Sequence, residues 1–180
     1  SLSPYRWSHG YLNGYLYLAH QRVGLLALDI DTGICYPHYQ IGVATPEEVL
    51  AITINNGRLI VVGPRFFSWS EPSNGLSFAP TLGGGGFQVI GDKVPGNPIA
   101  VSDYVRGCLT WTAGGVMRSE FTGDAAVYRH RAIHTDFRPV NSFCSIRVDD
   151  DSVIILDERG LFRSQGETPE PYAPVDRKSV

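Results

Sequence analysis

The feature that most limits what this chain can fold into is a strand–turn–strand–turn–strand pattern that recurs four times. In the first unit Tyr11-Leu12 precedes Asn13-Gly14, followed by apolar-alternating residues 15–19, a turn through Gly24 and a third run over 25–29. The second runs from 51–54 through Asn55-Asn56-Gly57 to 59–62 and then 66–70. The third runs from 99–101 through Tyr104 and Arg106-Gly107 to 108–112, then Gly114-Gly115 and 116–119. The fourth takes 143–148, Asp149-Asp150-Asp151, 153–156, Arg159-Gly160 and 161–164. Asn-Gly steps are strong hairpin signals, because the tight primed turns need positive φ at their central positions. The first apolar residue after each first turn is Leu16, Leu59, Leu109 and Val153, at spacings of 43, 50 and 44 residues. A period in the forties with three or four short strands per unit is the pattern of propeller blades. No blade buries both faces alone, so neighbours must stack to make a core. The expected fold is therefore all-β: a propeller-like array of about four antiparallel blades, or part of a larger propeller, over residues 1–165. A β-sandwich is the alternative, since its strands also recur at short spacing.

Between the units, residues 45–50 carry a capping Thr45 and Pro46 and could make one helical turn before the strand pattern resumes. Residues 75–98, with Gly83, Gly84, Gly85 and Gly86 at their middle, form the longest irregular stretch and are expected to be a protruding loop or flexible connector. Residues 166–180 read as an extended exit strand or linker. Hydrophobic residues at 43% and charged residues at 18% mark a globular chain, and twenty Gly and twelve Pro agree with many turns. A net charge of −3 argues against a protein that coats nucleic acid, but suits a wall along which DNA slides without sticking. Cys35, Cys108 and Cys144 are odd in number and scattered, which points to synthesis in a reducing cytoplasm. No apolar run approaches the roughly 20 residues of a membrane span, and no signal peptide is visible.

Few residues invite chemistry. Asp31-Thr32-Gly33 matches the short core of an aspartic protease, but that reaction needs two carboxylates sharing a proton, and one copy reads better as a turn. Asp149-Asp150-Asp151 reads as a solvated hairpin tip, since successive strand residues point to opposite faces. His130 and His134 would share a face of a helix; on a strand they lie about 13 Å apart, too far for one zinc ion. The glycine run lacks the Lys-Ser/Thr ending of a phosphate loop, and no Gly-x-Ser-x-Gly elbow occurs. Trp7, Trp69 and Trp111 are expected to pack in cores or between blades. Arg129, Arg131 and Arg138 form a local basic patch suited to an acidic partner. No catalytic, cofactor-binding or metal-ligating residue is assigned.

Phe66-Phe67-Ser68-Trp69-Ser70-Glu71-Pro72, then Asn74-Gly75-Leu76-Ser77-Phe78, then Ile99-Ala100-Val101 and its hairpin, stand in an order that resembles the tail nozzle proteins of short-tailed bacteriophages. These are also called tail tubular protein B or packaged-DNA stabilisation proteins. The hairpin Val148-Asp149-Asp150-Asp151-Ser152-Val153-Ile154-Ile155-Leu156-Asp157-Glu158-Arg159-Gly160-Leu161-Phe162 is similar to theirs as well. The resemblance covers residues 50–165. Such proteins are longer, so the chain would be a portion or a reduced relative. The resemblance implies a non-enzymatic virion protein, made in the host cytoplasm and without cofactor or membrane anchor. Copies would ring the tail axis between portal-proximal adaptor and distal tail proteins, retain the packaged genome and let it pass at infection. Contacts would run through 75–98, including Gly83 to Gly86, and through Arg129, Arg131 and Arg138. Two rival readings exist. Leu26-Ala27-Leu28-Asp29-x-x-Thr32-Gly33 resembles a quinoprotein repeat but occurs once. A glycan-binding module would need exposed aromatic residues, for which Trp69 and Tyr104 are the candidates.

Overall fold

A computed structural model describes residues 7–37, 49–64, 66–90, 93, 96–134, 136–140, 145–149 and 151–172. Among them the chain is all-β, built as four antiparallel four-stranded sheets. The first sheet contains β1 (Ser8–Leu12), β2 (Tyr15–His20), β3 (Gly24–Asp29) and β4 (Cys35–Pro37). The second contains β5 (Ala51–Asn55), β6 (Arg58–Val62), β7 (Phe66–Trp69) and β8 (Gly86–Val89). The third contains β9 (Pro98–Tyr104), β10 (Gly107–Thr112), β11 (Gly115–Phe121) and β12 (Tyr128–His134). The fourth contains β13 (Ser145–Arg147), β14 (Val153–Asp157), β15 (Gly160–Ser164) and β16 (Glu170–Pro171). Each sheet is a meander in chain order.

Local chemistry sets the hairpins. Asn13-Gly14 and Asn56-Gly57 all have positive φ (48°, 86°, 49° and 67°), the geometry of a primed two-residue turn. Such a turn fixes the registers Leu12↔Tyr15 and Asn55↔Arg58, and with them the side of each sheet on which every apolar residue falls.

The first strands lie side by side, β1 by β5, β5 by β9 and β9 by β13, so the sheets fan out from a shared edge as propeller blades do. Alternation along each strand then produces one face toward the preceding sheet and one toward the next. Tyr17, Ala19, Leu25 and Ala27 of the first sheet meet Ile52, Leu59 and Val61 of the second. Ile60, Val62, Phe67 and Trp69 point the other way and meet Cys108, Met117 and Tyr128 of the third. Leu109, Trp111 and Val116 continue onto Val153, Ile155 and Phe162 of the fourth, with Phe137 sealing the cluster. No core cluster among the described residues joins the fourth sheet to the first. Among the described residues the array is a four-blade arc with three apolar junctions and two outward end faces.

Each junction also has a polar latch. Ile52 donates its N–H to Ser8 Oγ (3.1 Å). Asn55 Nδ2 donates to the carbonyls of Tyr104 (3.2 Å) and Gly107 (2.8 Å), and its Oδ1 accepts from Tyr128 OH (3.2 Å). Ser102 and Ser145 hydroxyls meet at 2.5 Å, and Arg147 pairs with Asp103 at 2.6 Å. These bonds are directional where apolar contact is not, so they fix the height at which one sheet meets the next.

The structure corrects one expectation. Residues 75–98 do not form one protruding loop, because β8 lies inside them and completes the second sheet against β7. The segment after 165, expected to be an extended exit strand or linker, holds β16, paired with β15 through Phe162↔Pro171 and Arg163↔Glu170 as the fourth strand of its sheet. Of the proposed helical turn over 45–50, residues 45–48 lie outside the described residues, and Val49 and Leu50 are not helical.

Candidate functional site

The basic stretch lies on β12, the outer strand of the third sheet. Arg129 and Arg131 are two residues apart, so they share one face and both are exposed, while His130 between them points inward. Arg129 stands opposite Glu120 and Arg131 opposite Arg118 on β11. Charged residues on an edge strand also have a plainer role, which is to discourage pairing with a foreign strand. Arg138 is exposed, but its backbone N–H donates to Asp157 Oδ2 (2.8 Å), which holds it against the fourth sheet. Arg129 and Arg131 belong to β12, whereas Arg138 follows it and is tied to the fourth sheet, so the three do not share one strand face. Arg129 lines, with Arg106, Glu120, Val105, Phe121 and Thr122, an open groove of about 390 Å³. Arg106 was hidden from sequence reasoning by its place in a hairpin turn.

Gly83, Gly84, Gly85 and Gly86 do not hang free. The Arg58 guanidinium, on a side chain only 4% exposed, donates to the carbonyls of Ser70 (2.7 Å), Gly84 (2.8 Å) and Gly83 (2.7 Å). Trp69 Nε1 adds a bond to the Gly84 carbonyl (3.1 Å). Gly86 opens β8 against the Trp69 ring, where a Cβ would stand 2.7 Å from Cζ2 and could not fit without displacement. The other three are small for separate reasons: Gly83 has a φ of 69°, a Cβ at Gly84 would collide with the Thr81 side chain, and one at Gly85 would stand 2.9 Å from the Phe78 and Ala79 backbone. Gly85 and Gly86 are buried and offer a partner no surface.

His130 forms the one hydroxyl–imidazole pair described, with Ser119 Oγ 2.8 Å from Nδ1. Ser119 is fully buried, and the ring lies against Phe67 (5.0 Å) and Trp69 (6.4 Å), so the pair belongs to the junction between the second and third sheets. Burial, and secondarily the charge of Lys93, pushes the imidazole down to about 4, so it is neutral near pH 7. Asp31-Thr32-Gly33 is a turn in which Asp29 Oδ1 accepts the N–H groups of Asp31 (3.0 Å) and Thr32 (3.1 Å). At the fourth sheet, Asp149 Oδ1 accepts the N–H of Asp151 (2.9 Å) and its Oδ2 faces Arg163 (3.3 Å); Asp150 lies outside the described residues. Among the described residues no three His, Cys, Asp or Glu side chains come together as a metal site. The His134 side chain and Cys144 lie outside them. No described helix is long and apolar enough to cross a membrane.

Trp69 and Trp111 pack between sheets, whereas Trp7 is 42% exposed and rests on His20 at 4.8 Å. Trp69 and Tyr104, the aromatic residues on which a glycan platform would depend, are 8% and 2% exposed. They are inter-sheet packers.

No family model and no curated protein matches the chain. Solved structures do. The extracellular domain of BT4673 from B. thetaiotaomicron, a protein described in one structure as a hybrid two component system and in another as a one component system, superposes with TM-scores of 0.58 and 0.59 at 12% identity. The match covers 94% and 96% of this chain but 21% and 23% of that one, so the chain spans about a fifth of that domain's length. The computationally designed Ika4 protein matches at TM-score 0.55 and 10% identity, over 88% of this chain and 89% of its own. At such identities the likeness is one of fold: a β-propeller-like array of four antiparallel sheets.

Proposed function

We propose that the chain is a structural module of a short-tailed bacteriophage tail, part of the nozzle that retains and passes the genome, and not an enzyme. What carries the reading is where the residues of the nozzle resemblance fall. Phe66–Trp69 is β7, whose Phe67 and Trp69 seal the second junction, and Ser70 and Glu71 belong to the turn that Arg58 and Ser77 hold. A further matching segment is the β14–β15 hairpin, which seals the third junction through Val153, Ile155 and Phe162. The resemblance therefore reaches the residues that dictate how blades stack, and a nozzle made of stacked sheets needs those contacts before any other.

In this reading copies ring the tail axis, and the exposed Arg129 and Arg131 of β12, with Arg106 beside the first, meet an acidic surface of a neighbouring tail protein. An exposed arginine pair is suited to bidentate carboxylate contact. The experiment is quantitative peptide mass spectrometry of purified particles from the source, paired with assembly of the Arg129→Glu/Arg131→Glu chain. The chain is expected in virions at fixed stoichiometry with a portal protein, and the double variant is expected to fold but assemble poorly. Recovery only from the soluble cell fraction would discard the virion reading; full assembly by the double variant would discard the contact.

A further inference from the structure

The two ends of the arc are complementary halves of the junction that the fold uses three times. In the first sheet, Tyr17, Ala19, Leu25 and Ala27 face forward into the first junction, so the alternate residues face backward, away from the protein. These are Leu16, Leu18, Leu26 and Leu28. The registers Leu16↔Leu28 and Leu18↔Leu26 set them in a two-by-two block. The same rows continue through Tyr11 and His9 on β1, and through Cys35 and Pro37 on β4, with no acidic or basic chain other than the histidine. In the fourth sheet, Val153 and Ile155 face back into the third junction, which leaves Ile154, Leu156 and Leu161 facing forward. Ile146 sits opposite Ile154 and extends that face. Arg163 and its cross-strand neighbour Glu170 also lie on it, toward the β16 edge, and the Arg163 guanidinium is drawn aside to Ser152 Oγ (2.9 and 2.5 Å) and Asp149.

Corresponding second-strand positions inside the arc are sealed. Facing backward, Leu59, Val61, Cys108, Val153 and Ile155 are all at 0% exposure. Facing forward, Tyr17, Ala19, Ile60, Val62, Leu109 and Trp111 reach 1% at most. At the open end, Leu156 is 39% exposed, Leu161 47% and Ile146 64%. So large aliphatic residues occupy junction positions on both ends, half-buried on the first sheet and largely exposed on the fourth, and none belongs to a core cluster. An apolar sheet face of this kind marks an interaction surface.

We propose that a second copy of this chain is the occupant: two arcs join head to tail, the backward face of each first sheet against the forward face of the other's fourth sheet. Each contact would be a fourth instance of the internal junction, with the leucine block of one copy against the isoleucine–leucine face of the other. The two faces differ, so the contact is heterologous, and such contacts give a closed ring only where the rotation closes. Two copies make eight sheets, within the four to eight blades that propellers typically carry, whereas three would make twelve. The packing argument concerns blades alone and stands apart from the virion reading, so failure of either leaves the other untouched.

The test is the solution mass of the chain by sedimentation and light scattering across the micromolar range, with Leu18→Asp altering the backward face and Leu161→Asp the forward face. A dimer at twice 19.7 kDa is expected for the unaltered chain. Both variants should become monomers with unchanged far-ultraviolet circular dichroism. Mixing them in equal amounts should restore a dimer, because one unaltered junction can still form between unlike copies. Leu82→Asp, at an 89% exposed residue on neither face, should remain dimeric. A monomeric unaltered chain overturns the proposal, as does an open series of larger species. Loss of the dimer in only one variant would mean that like faces meet, and would overturn it too. Should Leu18→Asp fail to fold, the mass of the unaltered chain and of Leu161→Asp decide the question.

Discussion

Removing the Arg58 guanidinium, which holds the glycine run of the second sheet, should lower stability by a measurable amount. The guanidinium is buried, forms no ion pair among the described residues, and makes three bonds of 2.7–2.8 Å to carbonyl oxygens of Ser70, Gly83 and Gly84. Hydrogen bonds to a charged group contribute about 1.5–3 kcal/mol each, so the gross loss on removing the donor is roughly 5–9 kcal/mol. Against this stands the cost of burying a cation, several kcal/mol, which its removal relieves. That cost also holds the guanidinium below its ordinary pKa. Water reaching the partly exposed Gly83 and Gly84 carbonyls recovers some of the rest. The bonds win the balance, because the guanidinium is weakly hydrated to begin with and its fork matches the carbonyls. Arg58→Met, which keeps the stem and removes the donors, should cost about 3 kcal/mol, a fall of roughly 6–12 °C in Tm for a chain of this size. Arg58→Lys should lose about half as much, since one ammonium cannot span all three acceptors. Thermal and urea unfolding give the stability, and hydrogen exchange at Gly84 and Thr81, whose N–H groups are bonded in the 81–85 turn, reports the loop. If Arg58→Met stays within about 0.5 kcal/mol of the unaltered chain, the latch is not what holds the glycine run.

Two further contrasts follow from burial. Leu109→Ala in the third junction, at 0% exposure, should cost about 2–5 kcal/mol in urea unfolding, while Leu82→Ala, at 89% exposure, should stay within about 0.5 kcal/mol. His130 should make stability depend on mildly acidic pH: its folded pKa of about 4 lies below the ordinary 6.5, so the unfolded chain binds the proton first. Stability from the neutral ring is therefore full above pH 6.5 and falls by roughly 3 kcal/mol as pH drops to about 4. In His130→Asn, which keeps a partner for Ser119, unfolding curves across that window should lose the slope.

The repeat was legible because its signals are local. Asn-Gly turns and period-two alternation act within a few residues, and the runs read from them coincide with the second and third strands of every sheet. The outer strands were harder. β4 has three residues and β16 two, too few for alternation to register, and β8 begins with a glycine and continues with exposed residues. Of the four outer strands β12 alone, with seven residues, is long enough for alternation to show. The glycine run was misread because its partners come from elsewhere: Arg58 lies 25 residues before Gly83, and Trp69 lies 15 before Gly84. Whether a sheet has a neighbour on both sides was likewise not in the pattern. Leu16 and Leu59 occupy the same place in their units, yet Leu59 is sealed inside a junction and Leu16 faces away from one.

That distinction bears on how the array comes apart. In a stack where each sheet touches only its neighbours, stability is a sum of sheet and junction contributions, and an end sheet has one junction where an inner sheet has two. The burial of the strands follows this rule. All residues of β6 and β10 are buried, whereas β1 alternates between partly buried and exposed positions and β16 is exposed throughout. Hydrogen exchange on Leu161→Asp, whose fourth sheet keeps an altered end face, should therefore show a gradient. The N–H groups of β6 and β10 should exchange near the global unfolding rate, and those of β2 and β14 faster by opening of an end sheet alone. Both comparisons use strands with two neighbours inside their own sheet, so a difference reports junctions and not edges. In the unaltered chain, closure with a second copy would give every sheet two junctions and should flatten the gradient. Equal protection of all four strands in the variant would mean that the sheets unfold as one unit, and that the neighbour-by-neighbour account of this fold is mistaken.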